Sequence, residues 1–218
     1  MAAASLPPDR IEGLLLDPGL GPRGAVRCLR ALSAEKVRRA LLPPWLLSEI
    51  GDEEREGLAL SGAVDFPGGG ATLASKRMGL LECLRLEASG AVVALTPGWL
   101  AEGGHGDRLV REVETLLATA PELPVRFLLP PFPLEEDRWS LLLRLLTERK
   151  PRAVVVPEES LGRGGEERLA AARKRLPRKV KLEVLFESAS GDRATALLEA
   201  GADGLLVPGG GPLLGGGS

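Results

Sequence analysis

The sequence predicts a single-domain α/β protein, a (β/α)8 barrel without an eighth helix, and three observations carry that reading. Eight short apolar runs recur along the 218 residues, and strands that read as nearly unbroken apolar runs are those of a parallel sheet covered on both faces. Segments of helical period separate them, which favours a closed barrel over a doubly wound sheet. Near the end, Glu199-Ala-Gly-Ala-Asp-Gly-Leu-Leu-Val-Pro-Gly-Gly-Gly211 reads as a helix end, a glycine stop, a strand and a glycine-rich loop. Such a loop at the carboxyl end of a parallel strand can hold a phosphate on backbone N–H groups.

Residues 1–10 read as a flexible arm, 11–211 as the barrel and 212–218 as a glycine-rich tail. The first strand is Ile11–Leu16, closed by the turn signal Asp17-Pro18-Gly19, and Gly24–Leu32 follows with a helical pattern. Val37–Leu42 ends at Pro43-Pro44 and leads into a helix over Trp45–Glu56. Leu58–Val64 runs into Asp65-Phe66-Pro67-Gly68-Gly69-Gly70, then a long helix over Ala71–Ala88. Ala91–Thr96 is the fourth strand, and Asp107 is placed to cap the helix to Ala120. Val125–Leu129 with Leu134–Arg149, Ala153–Val156 with Gly165–Arg175, and Val180–Phe186 with Asp192–Ala200 make the next three units. Gly204–Val207 is the last strand. Pro212, Leu213, Leu214 and the tail leave no length for a further helix, so the outer faces of strands 8 and 1 are expected to lie bare unless the N-terminal arm or a partner subunit covers them. Prolines at seven strand ends (Pro18, Pro43, Pro67, Pro97, Pro130, Pro157 and Pro208), with Trp45, Trp99 and Phe132 close behind three of them, predict a stiff and partly apolar rim.

A net charge of −2 gives no reason to expect nucleic acid or an anionic membrane as partner. No apolar run reaches the roughly 18 residues a membrane span needs, and the N-terminus lacks a signal peptide's layout, so a cytoplasmic location is expected. Cys28 and Cys83 fall in helices without ligand-like spacing and His105 is the sole histidine, so neither a metal nor a cofactor is expected. Asn, Gln and Tyr are absent and Arg far outnumbers Lys. That usage fits a thermophile and equally a GC-rich genome.

The order of motifs resembles the 2-deoxyribose-5-phosphate aldolase family along nearly the whole chain. Ile11-Glu12-Gly13-Leu14-Leu15-Leu16-Asp17-Pro18 is similar to that family's I-D-H-T-L-L-K-P opening, and Leu42-Pro43-Pro44 stands where its second strand ends in V-N-P. Phe66-Pro67-Gly68-Gly69 with Lys76 is similar to its F-P-x-G…K signature, and Leu198-Glu199-Ala200-Gly201-Ala202 to its seventh helix end. The resemblance implies a barrel lyase with a Schiff-base lysine on strand 6, a second lysine on strand 7 and an aspartate on strand 4. Here strand 6 carries Val155 or a neighbour at the lysine position, an ungapped count back from Gly201 puts Glu183 at the strand 7 position, and strand 4 has no acid.

Of the six lysines, Lys36, Lys150 and Lys179 precede strands and Lys76 and Lys174 lie on outer helices. Lys181 alone lies within a strand, sharing a face with Glu183. Pairing with Glu183 is the expected use, and an amine so paired is a poor nucleophile; the alternative is a displaced Schiff-base lysine. Asp17, Asp65, Glu158 and Glu187 lie near strand ends, where they could act as acid and base or simply cap helices. Ser188, Ser190, Gly191, Gly209, Gly210 and Gly211 could present donors to a phosphate, and Arg163 with its glycines gives a weaker anion signal. His105 has no partner for nucleophilic catalysis.

The expectation is therefore a divergent member of that family, lacking Schiff-base activity and acting as a binding or assembly partner. It would be a homo-oligomer or a hetero-oligomer with an active relative. Two alternatives stay open: a lyase or isomerase using rim carboxylates on a phosphorylated sugar, and residual aldolase activity through Lys181.

Overall fold

Eight parallel strands pair in sequence order and close on themselves, β8 against β1, in the computed structural model. It describes residues 6–101, 106–162, 164–186 and 190–209. The strands are β1 (Ile11–Leu14), β2 (Arg39–Leu42), β3 (Ala59–Val64), β4 (Gly90–Ala94), β5 (Val125–Leu128), β6 (Ala153–Pro157), β7 (Lys181–Leu185) and β8 (Gly204–Pro208). The helices are α1 (Pro22–Ala34), α2 (Pro44–Leu47), α3 (Asp52–Arg55), α4 (Leu73–Arg85), α5 (Gly98–Ala101), α6 (Gly106–Thr119), α7 (Glu136–Arg149), α8 (Glu158–Leu161), α9 (Gly165–Arg175) and α10 (Gly191–Glu199). The expected barrel is present. Whether a helix follows β8 lies outside the described residues.

Strand residues alternate between two apolar compartments, as a period of two requires. Outward-facing Ile11, Leu42, Val93, Phe127, Val154, Val156, Val184, Leu205 and Val207 join the helix stripes in one cluster. Inward-facing Leu41, Ala63, Val92, Ala94, Leu128, Val155, Leu185 and Leu206 fill the lumen, with Leu14, Leu16 and Phe66 against them.

The seam between β8 and β1 is covered, as expected if the N-terminal arm reaches it: Ile11, Leu15, Leu205 and Val207 are all buried, and Leu6 of that arm joins the same cluster. The structure corrects other expectations. The helix expected over Trp45–Glu56 is broken into α2 and α3, because the chain is extended at Gly51 (φ −72°, ψ 166°) ahead of an acidic first turn. Asp107 is the second residue of α6 rather than the residue before it. Strand starts expected at Val37, Leu58 and Val180 move inward by one or two residues, since Val37 and Val180 are buried and Leu58 partly buried without joining the ladder.

Two glycines are demanded by close approach. A Cβ on Gly62 of β3 would stand 2.2 Å from Cys83 Sγ on α4, so glycine lets that helix seat on the barrel. Burial pushes the Cys83 thiol up to about 12, which leaves it an inert packing group. A Cβ on Gly209 would meet Leu15 Cδ2 at 2.2 Å and the Leu14 carbonyl at 2.8 Å.

Candidate functional site

The two ends of the lumen differ sharply in chemistry. Catalytic groups of this fold come from the carboxyl ends of the strands. At that end the lumen is closed by the apolar cluster, and the cavity above it measures about 90 Å3, lined by Pro67, Leu128, Leu129, Pro131, Pro157, Glu158, Glu159 and Leu185. Ligand sites usually occupy about 300–1,000 Å3. Val155, at the strand 6 lysine position implied by the resemblance, is fully buried in the cluster.

Asp17, Asp65 and Glu158, among the carboxylates at this end, are engaged in structure. Asp17 Oδ1 accepts from the Gly19 amide at 2.8 Å, closing a turn. Glu158 accepts from Arg193 Nε at 2.6 Å, and Arg193 also grips Glu166. Asp65, in the left-handed region at φ 53°, accepts from the Ala71 amide at 2.9 Å and lies 3.4 Å from Lys76 Nζ. Ser190 caps α10 by accepting from the Arg193 amide. The Gly209 amide donates to the Leu14 carbonyl at 2.7 Å, so it is spent on the barrel and is not offered to a phosphate. Glu187, Ser188, Gly210, Gly211, His105 and Arg163 lie outside the described residues.

Lys76 lies on α4, an outer helix as expected, but it faces inward and not to water. Its side chain is fully buried, and Nζ donates to Glu112 Oε1 at 2.6 Å, the Ala94 carbonyl at 2.8 Å, Thr96 Oγ1 at 2.9 Å and the Gly69 carbonyl at 3.1 Å. Glu112 from α6 also accepts from the Thr96 hydroxyl and amide. The cluster pins the β3–α4 loop to the end of β4. With every ammonium proton engaged, Lys76 is a structural tie. A signal for both residues was present: Lys76 stands in the buried stripe with Leu80 and Cys83, and Glu112 between Leu109 and Val113.

The amino end holds the lumen's charges. Glu12 (β1), Arg39 (β2), Arg126 (β5) and Glu183 (β7) form a box of alternating sign. Arg126 reaches both Glu12 oxygens, with Nη2 to Oε1 at 2.7 Å, and Nη1 donates to Glu183 Oε2 at 3.0 Å. Arg39 Nη2 donates to Glu183 Oε1 at 2.7 Å and Glu12 Oε2 at 2.9 Å. Burial pushes the Glu183 carboxyl up, but Arg126 and Arg39 override it and hold it below the usual carboxylate range. Burial likewise works against the Arg126 charge, and the Glu12 and Glu183 carboxylates more than restore it.

This box overturns two expectations. Glu183 is partnered by arginines and not by Lys181, and it lies beneath Leu185 near the start of β7, away from the strand end where a Schiff-base partner belongs. Lys181 is half exposed at the amino end, 3.7 Å from Asp203 Oδ1. It is the first residue of β7, so its side chain escapes to water beside an acid across the loop. Below the box opens a cavity of about 700 Å3, which sequence reading missed because its wall draws on six strands and the loops before them.

No family model matches the sequence, and no curated protein matches it. Solved structures do match its fold. The deoxyribose phosphate aldolase of Aeropyrum pernix, described as a tetramer of unique structure, superposes with a TM-score of 0.77 at 22% identity, covering 91% of this chain and 85% of that one. A Coccidioides immitis protein provisionally assigned as a deoxyribose-phosphate aldolase gives 0.79 at 13% identity, covering 95% and 85%. The dihydrodipicolinate synthase of Agrobacterium tumefaciens gives 0.67 at 14% identity, covering 92% and 70%. The chain therefore has the fold of the aldolase-like (β/α)8 barrels. At these identities the likeness concerns fold, and activity has to be argued from the site.

Proposed function

We propose that this chain is a divergent deoxyribose-phosphate-aldolase-like barrel that performs no Schiff-base aldol chemistry and serves as a binding or assembly partner. The observation that carries this reading is the carboxyl-end mouth: its lumen is packed with Leu, Val and Ala, and no amine among the described residues faces it. A Schiff base needs a partly desolvated, deprotonated amine open to an aldehyde. Lys76 is sealed by four acceptors, and Lys181 lies at the opposite end of the barrel. The rim-carboxylate alternative loses support because Asp17 and Glu158 are committed to a turn and to Arg193.

The assembly half rests on α4 and α2. Met78 (65% exposed), Leu81 and Leu84 of α4 stand open to water, as does Trp45 of α2 (52%). Large apolar residues grouped on neighbouring helices are characteristic of association surfaces. With the β8–β1 seam already covered, this face is the better candidate for self-association.

Borohydride treatment with deoxyribose 5-phosphate or acetaldehyde, followed by mass spectrometry, tests the chemistry: no stable mass addition is expected. A stoichiometric adduct on any lysine, Lys181 included, would overturn the reading. Light scattering tests assembly, and a monomer that persists at high concentration removes that half.

A further inference from the structure

We infer that the amino-end cavity of the barrel is a binding site for a small phosphate ester. Its wall carries Arg10, Arg39, Arg126, Arg152 and Lys181 against Asp9, Glu183 and Asp203. With Glu12 behind Arg126 and Arg39 as a fourth acid, the positive charges still outnumber the negative, in a protein whose net charge is −2. The space exists because small residues alternate with long ones around the ring: Ala59, Gly90 and Ala153 line it between Arg39, Arg126 and Lys181.

Cations at this end of a barrel often serve the carbonyls of helix and loop termini, as Arg173 does for those of Leu176, Pro177 and Val180. Arg39 and Arg152 do not. Arg39 spends Nη2 on the box, while its Nε and Nη1 make no hydrogen bond among the described residues. The Arg152 side chain has no hydrogen bond or ion pair there either, although it lines the cavity. A further observation is independent of charge. Ser61 is 7% exposed and lines the same cavity, and its hydroxyl makes no hydrogen bond among the described residues. Ser61 Oγ is open to water in that cavity and not sealed off as an orphan, so a polar ligand can take the water's place. Guanidinium donors beside a hydroxyl suit the oxygens of a phosphate, and a cavity of about 700 Å3 has room for the ester's organic part. Glu12 and Glu183 accept from both Arg126 and Arg39, so the box fixes where the Arg39 guanidinium stands.

Isothermal titration of the full chain with deoxyribose 5-phosphate, glucose 6-phosphate and inorganic phosphate tests this. The esters should bind at sub-millimolar Kd and inorganic phosphate at least tenfold more weakly. Arg152→Ala, which breaks no bond within the described fold, should weaken ester binding about tenfold, and Ser61→Ala severalfold with an unchanged melting temperature. Arg193→Ala, at the opposite end, should leave binding unchanged. Absence of ester binding, or binding lost in Arg193→Ala and kept in Arg152→Ala, would overturn the inference. Borohydride reactivity bears on the mouth alone, so the two proposals fail separately.

Discussion

The two ends of the barrel solve opposite problems with the same alternation of inward residues. At the carboxyl end, inward positions among the described residues are Leu, Val, Ala and Pro, and Asp17, Asp65, Glu158 and Ser190 nearby are tied into turns, caps and ion pairs beside the Lys76–Glu112 knot. At the amino end, inward positions are Glu12, Arg39, Ser61, Arg126 and Glu183, arranged around water-accessible space. Barrels of this kind ordinarily keep their reactive polar groups at the carboxyl end and their packing at the other. Among the described residues the distribution is reversed here, so a ligand site has to be argued from side chains and not from the fold alone.

The comparison can be broken most forcefully at its two buried charge clusters. Lys76→Met leaves Glu112 sealed without its cation, and removing one partner of a buried pair costs about 3–5 kcal/mol. Equilibrium denaturation should place this variant at the upper end of that range. Arg126→Met takes one of two arginines from Glu12 and Glu183; Arg39 still reaches both and the cavity admits water, so the lower end of that range is expected. A larger loss at Arg126 than at Lys76 would mean that the amino-end box, and not the knot under the mouth, anchors the barrel.

Acid should sharpen the contrast. Glu183 holds its proton less tightly when folded than when unfolded, where its carboxyl has the ordinary value of 4.5. Its contribution to stability is therefore complete above that value and is lost as pH falls through the lower folded pKa. Melting temperature should decline below about pH 4.5, and Glu183→Gln should flatten part of that decline while lowering stability at neutral pH. The smallest effect belongs to Arg152→Ala, expected within about 0.5 kcal/mol of wild type by the same denaturation, since the side chain is exposed and unpartnered among the described residues. A larger loss would assign Arg152 to the fold instead of to a ligand.

Much of the barrel was legible because apolar runs with glycine and proline punctuation report local geometry directly. The eight strands, and the helix over Gly165–Arg175 to the residue, follow from that pattern. The break between α2 and α3 was harder, since Trp45–Glu56 keeps a helical period across residues that the fold uses as a turn. At the site, a lysine in an apolar helix stripe and charges at inward strand positions were visible as anomalies, but their partners were not. Lys76 meets Glu112 across 36 residues and Arg126 meets Glu12 across 114.

The sequence by itself determined the alternation of strand and helix, the covered parallel sheet and the lack of a lysine within strand 6 or an acid within strand 4. These are properties of residue type at a given spacing. Only the tertiary structure decided that Lys181 pairs with Asp203, that Glu183 sits in an arginine box below the mouth, and that Gly209 spends its amide on Leu14. Each depends on the register with which distant strands close the barrel, and a one-residue slip in that register turns every side chain to the opposite face.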